Sequence, residues 1–187
     1  MKVKTLLFAI LALCAGSSIQ AQTPSGKKIL VAYFSWSENG NTRNLANQIK
    51  QETGADIFEI APVNAYSTNY DDCLAQARKE IESNFKPEIK GSVDNFESYD
   101  IIFVGSPIWC GTIAPPVATF LSNNDFSKKT VIPFLTFGGG GQGKSAEDIK
   151  SLCPKAVFLK EFSITGRKVN EAENDIRKWL KDNDIVK

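Results

Sequence analysis

Residues 35–42 read S-W-S-E-N-G-N-T, and the interpretation of the whole chain depends on this stretch. It directly follows the apolar run 29–34 and directly precedes a segment with helical spacing. A strand that turns into a helix through small hydroxyl and amide residues predicts a phosphate-binding turn. Free backbone N–H groups and the positive end of the helix dipole both point at such a turn. The stretch has no lysine, so neutral donors would bind the anion, with Arg43 as the nearby cation.

Residues 1–21 have the pattern of a secretory signal peptide. Lysines precede an apolar core at 6–13, and small and polar residues follow up to Ala21, after which we expect cleavage. The core is too short to span a bilayer stably. Cys14 leaves open the alternative of a lipid anchor on that cysteine. We therefore expect an exported, periplasmic protein with a single domain at 22–187.

The expected mature chain is nearly neutral and has no histidine. The full sequence holds 22 Lys+Arg and 21 Asp+Glu; removing two lysines with the signal leaves 20 against 21, a formal charge of −1. This balance argues against a nucleic-acid-binding protein, which would present a basic face. The absence of histidine excludes Ser-His-Asp and Cys-His catalytic sites and most transition-metal sites. We predict neither a metal site nor a catalytic side chain.

The mature cysteines are Cys73, Cys110 and Cys153, an odd number, so at least one thiol stays free or pairs between chains. None of them forms a C-x-x-C motif, which argues against a thioredoxin-like role. A disulfide between Cys110 and Cys153 remains an alternative, because export permits disulfides.

Apolar segments alternate with amphipathic segments along the chain. The predicted strands are 29–34, 56–60, 101–104, 131–137 and 157–164. The predicted helices are 43–52, 71–83, 116–121, 145–152 and 171–182. This alternation predicts an α/β fold in which a five-stranded, doubly wound parallel sheet lies between two helical layers. Ligands bind beyond the carboxyl ends of such strands, here at loops 35–42, 61–69, 106–112 and 137–143.

Three motifs in this order resemble the flavodoxin family, and in particular the flavodoxin-like proteins common in anaerobic bacteria. They are Y-F-S-W-S-E-N-G-N-T-R at 33–43, S-P-I-W-C-G-T at 106–112 and F-G-G-G-G-Q-G-K-S at 137–145. The resemblance covers nearly all of 22–187. It implies the strand order 2-1-3-4-5 and an FMN cofactor at the carboxyl edge of the sheet.

The resemblance also implies which residues contact FMN. The phosphate loop would contribute Ser35, Trp36, Ser37, Asn39, Gly40, Asn41 and Thr42, with Trp36 shielding the phosphate from water. One side of the isoalloxazine would be lined by Pro107, Ile108, Trp109, Cys110 and Gly111. The other edge would meet Phe137, Gly138, Gly139, Gly140 and Gly141. An indole such as Trp109 can stack on a flat aromatic ring, and glycines let backbone groups approach it closely.

The sequence departs from the family pattern at two places. Glu38 and Asn39 look like an insertion in a tighter phosphate loop, and we expect Glu38 to point to solvent. The 137–143 loop has no aromatic residue after Phe137, so Tyr66 or Tyr70 is a candidate for the second face of the flavin.

Residues 138–145, G-G-G-G-Q-G-K-S, also satisfy the P-loop pattern of nucleotide-hydrolysing proteins. Its position argues against that function, because one predicted strand follows it and no apolar strand after it ends in a clear metal-binding aspartate. We expect Lys144 to cap a solvent-exposed loop instead.

The resemblance favours electron transfer through bound FMN, with redox proteins or small electron acceptors as partners. A second hypothesis is an NAD(P)H-dependent FMN reductase of quinones or similar small acceptors. A third is a binding module that has lost the flavin, for which Glu38 is the best argument. None of these involves nucleic acid or a stable membrane span.

Overall fold

The computed structural model describes residues 26–187. The predicted signal peptide, its cleavage after Ala21 and the alternative lipid anchor on Cys14 lie outside these residues.

A mainly parallel sheet forms the central layer. Its strands are β1 (Ile29–Tyr33), β2 (Asp56–Glu59), β3 (Ile101–Trp109), β4 (Thr112–Ile113), β5 (Thr130–Phe137), β6 (Val157–Phe158) and β7 (Phe162–Thr165). The order across the sheet is β2-β1-β3-β5-β6, with β7 also pairing in parallel with β5. Strand β4 is a short antiparallel arm on β3. Counted over the parallel strands, the predicted order 2-1-3-4-5 is confirmed.

Helices cover both faces of the sheet, as predicted. They are α1 (Asn41–Thr53), α2 (Tyr70–Glu82), α3 (Pro115–Asn123), α4 (Ser145–Leu152) and α5 (Glu173–Asp182). Apolar residues of α1 and α5, such as Leu45 and Ile176, share one core with Val31 of β1. Residues of α2, α3 and α4, such as Phe120 and Ile149, share the other core with Leu30. Since successive strand residues point to opposite faces, one strand supplies both cores.

The single strand predicted at 157–164 is divided into β6 and β7. The Leu159 N–H still donates to the Val131 carbonyl of β5 at 3.1 Å, but the next residue, Lys160, bonds to side chains at the end of α5. The Lys160 N–H donates to Asn183 Oδ1 at 3.1 Å, and the Lys160 carbonyl accepts from Trp179 Nε1 at 2.7 Å. Competition from these side chains interrupts the strand, which an apolar pattern alone does not reveal.

Strand β3 continues past Gly105, where the predicted strand ended. A Cβ on Gly105 would stand 2.2 Å from Cζ of Phe134 on the neighbouring strand, so this glycine makes room for a buried ring. The strand then runs four residues further, to Trp109, and returns through β4. The extension carries Trp109 to the carboxyl edge of the sheet.

None of the helices within residues 26–187 is long and apolar enough to cross a membrane. In the same part of the chain, no group of three or more acidic or cysteine side chains is placed to hold a metal ion.

Candidate functional site

A cleft of about 330 Å³ opens where β1, β3, β5 and β7 end. Its wall includes these predicted residues: Trp36, Ser37, Asn41, Thr42, Pro107, Ile108, Trp109, Cys110, Phe137 and Gly138. The remaining predicted residues are not part of the wall: Ser35, Asn39, Gly40, Gly111, Gly139, Gly140 and Gly141. Volumes of about 300–1,000 Å³ are typical of small-molecule sites, so the cleft is of suitable size for a cofactor.

One end of the cleft is the turn between β1 and α1. The Gly40 N–H donates to the Ser37 carbonyl at 2.7 Å, and the Asn41 N–H donates to Ser37 Oγ at 3.2 Å. Gly40 has φ +59°, the left-handed conformation that reverses the chain before α1. Thr42, in the first turn of α1, is buried, and its Oγ1 lies 2.8 Å from Oγ1 of Thr136 on β5. This hydroxyl pair ties the start of α1 to the sheet.

Ser35 carries a polar atom that the protein itself does not satisfy. Its Oγ is shielded from solvent and has no hydrogen-bond partner in the described part of the chain. A buried hydroxyl without a partner costs free energy, which a ligand that hydrogen-bonds to it would recover. Hydroxyl and amide donors around an unpaired Ser35 hydroxyl fit the oxygens of a phosphate group.

The other end of the cleft is aromatic. The half-buried ring of Trp109 meets the rings of Phe34, Tyr66 and Trp36 edge-on, with centroid distances of 5.4, 4.9 and 6.0 Å. Trp36 is itself oriented by a hydrogen bond from its Nε1 to the Ser67 carbonyl, 3.0 Å long. Edge-on packing supports Trp109 from several sides, and Trp109 and Trp36 both border the cleft.

Tyr66 and Tyr70, the candidates for a second stacking partner, are placed differently. Tyr70 is on the wall of the cleft and is 65% exposed. Tyr66 is buried behind Trp109, and its hydroxyl donates to Glu80 Oε2 at 2.5 Å. Only Tyr70 is therefore positioned to contact a ligand directly, while Tyr66 supports Trp109 from behind.

Glu80 is a buried carboxylate one layer behind the cleft. It accepts from Tyr66 and, through Oε1, from Gln76 Nε2 at 2.8 Å. Burial, and then the hydrogen bond to Glu80, raise the pKa of the Tyr66 hydroxyl, so it remains a donor. Burial, with a smaller effect of the Glu80 charge, raises the pKa of the Cys73 thiol to about 11. Cys73, which lines this side of the cleft, is therefore uncharged at physiological pH.

Cys110 and Gly111 form the tip of a tight hairpin at the mouth of the cleft. Their φ angles are +50° and +79°, and Trp109 pairs with Thr112 across them, as in a two-residue type I′ turn. The Cys110 thiol is exposed, whereas Cys153 is buried at the end of α4. All the described cysteines are free, so the alternative Cys110–Cys153 disulfide is not formed.

The glycine-rich loop does not form a nucleotide-phosphate cradle. The Lys144 ammonium lies 3.3 Å from Asp148 Oδ1, and the other carboxylate oxygen of Asp148 accepts from the Thr112 hydroxyl. Lys144, the residue before α4, therefore pairs its charge with Asp148 of that helix and does not face the open loop. The Lys144 side chain is mostly exposed, and so is Glu38, as expected.

The charged residue on the cleft wall is one that the sequence pattern missed. Arg43, the expected cation, is 2.5 Å from Glu59 Oε1 and does not border the cleft. The wall instead includes Thr165, Gly166 and Arg167, which follow β7. The rule that ligands bind at carboxyl ends of strands applies equally to this fifth predicted strand, and would have found them.

The family of the protein follows from comparison with known proteins. The family model described as Flavodoxin matches residues 28–183. No curated protein matches the chain with significance. The chain therefore belongs to the flavodoxin family, as its motifs predict.

Solved structures show the same architecture. One, named as a flavoprotein from Bacteroides eggerthii, is 30% identical, with a TM-score of 0.74 over 84% of this chain and 98% of that chain. A second, from Bacteroides uniformis, is 27% identical, with a TM-score of 0.72 over 83% and 99%. A flavoprotein from Lactobacillus acidophilus, solved in complex with FMN, is 24% identical, with a TM-score of 0.67 over 82% and 98%. These structures and this chain share the flavodoxin-like fold, a parallel sheet with helices on both faces.

Proposed function

We propose that this protein is an exported flavodoxin that binds FMN in the carboxyl-edge cleft and transfers electrons between redox partners. The observation that carries the proposal is the unpartnered hydroxyl of Ser35, which directly precedes Trp36 and Ser37 on the wall of a cleft that is polar at one end and aromatic at the other. A ligand with a phosphate at one end and a flat ring at the other fits this arrangement. Membership of the flavodoxin family supports the same ligand.

The turn between β1 and α1 would hold the phosphate. Backbone N–H groups at the start of α1 are free of partners within the helix, and the helix dipole favours an anion there. The hydroxyls of Ser35 and Thr42 and the side-chain amide of Asn41 would complete the contacts. Since Thr42 is already bonded to Thr136, it would hold the turn in shape more than it would donate to the ligand.

The hairpin and the loop after β5 would hold the ring. Trp109 is oriented by its aromatic neighbours and would present its indole to the flavin and exclude water from it. The cleft wall near Cys73 and Leu74 is neutral and largely apolar, so it offers no compensating positive charge to the ring. Bound FMN would supply one-electron or two-electron transfer, for which the protein provides binding, orientation and potential.

The absence of histidine and the pattern of the N-terminal residues both support an exported electron carrier. There is no histidine to act as a general base, and electron transfer through a flavin does not need one. Residues 1–21 have the signal-peptide pattern, from which we propose a periplasmic location. Mass spectrometry of the protein recovered from the producing cell would test this: a first residue of Gln22 supports export, and a retained N-terminus contradicts it.

The decisive experiment is a titration of the purified protein with FMN, followed by flavin fluorescence and visible absorbance. Saturable one-to-one binding with strong quenching is expected. A Ser35→Ala variant should bind FMN more weakly by about tenfold, because it loses a donor to a charged group. Ser163→Ala is a matched control, since its Oγ is also unpartnered but it lies within β7 and not in the turn between β1 and α1.

Binding of no flavin at high micromolar concentration would overturn the proposal and favour a module without a cofactor. If FMN binds, NADH and NADPH oxidation with a quinone distinguishes a carrier from a reductase. Rapid turnover that saturates with both the nicotinamide cofactor and the quinone would show that the protein is a reductase and not a carrier of electrons between proteins.

A further inference from the structure

Arg167 is the single charged residue that borders the cleft, among the residues that the structure describes. Two other cations near the site are already paired with carboxylates. Arg43 lies 2.5 Å from Glu59, and Lys144 lies 3.3 Å from Asp148. Within residues 26–187, no carboxylate lies within 4.0 Å of the Arg167 guanidinium, since the ion pairs found involve other residues.

The backbone at Arg167 lies against the predicted phosphate turn. A Cβ on the preceding residue, Gly166, would stand 2.3 Å from Asn41 Nδ2, so the two segments are in close contact. Arg167 is therefore the next residue in the chain after one that contacts the turn where the anion is expected.

The backbone segment that carries this arginine is also held against α1. It lies in a 3-10 turn, Gly166–Glu171, whose Val169 is buried. The Val169 carbonyl accepts a hydrogen bond from Gln48 Nε2 of α1 at 2.9 Å. The helix that begins at the phosphate turn thus holds the segment that carries Arg167.

We propose that Arg167 pairs with the phosphate of the bound flavin and makes the site discriminate FMN from riboflavin. This rests on the proposed FMN site and adds the residue that sets its specificity. A phosphate monoester carries a charge of about −1.5 to −2 at neutral pH. Neutral donors satisfy its oxygens but leave that charge uncompensated. The guanidinium of Arg167, an exposed residue of the cleft wall, supplies a positive charge and planar donors that match phosphate oxygens.

The test is to measure dissociation constants for FMN and for riboflavin with the wild type and three variants. Arg167→Gln removes the charge, and Arg167→Lys keeps it but loses the planar fork. Lys168→Gln removes the same charge one residue away, from a side chain that does not border the cleft. A thermal melt of each variant checks that it is folded.

In Arg167→Gln, we expect the FMN dissociation constant to rise about tenfold to a hundredfold, the range for a lost charge-assisted hydrogen bond. Riboflavin binding should change by less than about twofold, because riboflavin has no phosphate to lose. The FMN dissociation constant of Arg167→Lys should lie between those of the wild type and Arg167→Gln. That of Lys168→Gln should equal the wild-type value. Raising the salt concentration should weaken FMN binding to the wild type more than to Arg167→Gln.

An unchanged ratio of FMN to riboflavin affinity in Arg167→Gln would overturn the proposal, while flavin binding itself would stand. One such result is an equal weakening of FMN and riboflavin binding, which would show that Arg167 has a structural role. FMN binding to the wild type that does not depend on salt concentration would also overturn the proposal, with no variant needed. If the wild type binds neither flavin, the proposed function fails together with this inference.

Discussion

Gly143 lies so close to Gly111 that a Cβ on Gly143 would stand 2.1 Å from the Gly111 carbonyl oxygen. The same carbonyl accepts a hydrogen bond from the Lys144 N–H at 2.8 Å. The glycine-rich loop is thereby attached to the tip of the β3–β4 hairpin. The glycine before Lys144 in the P-loop-like pattern therefore has a structural explanation: a residue without a Cβ is needed where two backbones touch.

Gly143→Ala should destabilise the protein by about 2 kcal/mol or more, because the residue has φ +55° and its new methyl group would meet backbone. Urea unfolding measures this change. Gly139→Ala is the control, since nothing lies within 4 Å of its Cβ position and its φ is not positive. It should change stability by less than about 0.5 kcal/mol. Equal effects of the two substitutions would show that the contact is unimportant.

Gly166→Ala should weaken FMN binding by about tenfold with little loss of stability, because its methyl group would displace the movable side-chain amide of Asn41. A double-mutant cycle tests the route of this effect. In an Asn41→Ala background, where no amide remains to be displaced, the same substitution should have almost no further effect. Additive losses would mean that Gly166 does not act through Asn41.

Trp109→Leu should weaken FMN binding by about tenfold or more and reduce the quenching of flavin fluorescence, because a stacking surface is lost. Trp179→Phe is a control from the opposite core, where its Nε1 donates to the Lys160 carbonyl. It should lower the unfolding temperature but leave the quenching of bound flavin intact. Retained quenching in Trp109→Leu would assign the stacking to another ring.

In a chain that begins at Gln22, the Cys110 thiol should react rapidly with a thiol reagent in the native protein. Cys73 and Cys153 should react only after unfolding, because both are buried. FMN should slow the reaction of Cys110, which borders the cleft. A Cys110→Ser variant should show no fast phase, and a fast phase unaffected by saturating FMN would place the flavin elsewhere.

Stability should fall at alkaline pH because of the buried thiols. Burial raises the pKa of Cys153 from 9.0 to about 12. The unfolded chain loses this proton at lower pH than the folded chain, so the contribution to stability is complete below pH 9 and is lost as pH rises toward 12.

Cys153→Ala removes that titration. The wild type should therefore lose more unfolding free energy than the variant between about pH 8 and pH 10.5, by up to about 1.4 kcal/mol per pH unit above 9. Urea titrations at the two pH values measure the difference. Parallel losses in the two proteins would show that Cys153 does not contribute.

Local chemistry accounts for much of what the sequence could predict. The alternation of apolar and amphipathic segments was sufficient for the three layers, and the resemblance of the motifs to flavodoxins supplied the strand order. The turn at 35–42 was recognisable because small hydroxyl, amide and glycine residues between a strand and a helix are seldom placed there for packing. Helix α2 begins at Tyr70, close to its predicted start, because the Asn69 side chain accepts from the backbone N–H groups of Asp71 and Asp72.

The sequence by itself determined the fold, the two ends of the cleft and the types of group that line them, because these depend on periodicity and on turns between neighbouring residues. Only the tertiary structure decided which charges face the cleft. Arg43 and Glu59 are 16 positions apart, and Asn41 and Gly166 are much farther apart, so no local pattern links either pair. Ion pairing removed the expected cation from the site, and the docking of the turn after β7 onto α1 brought Arg167 in its place.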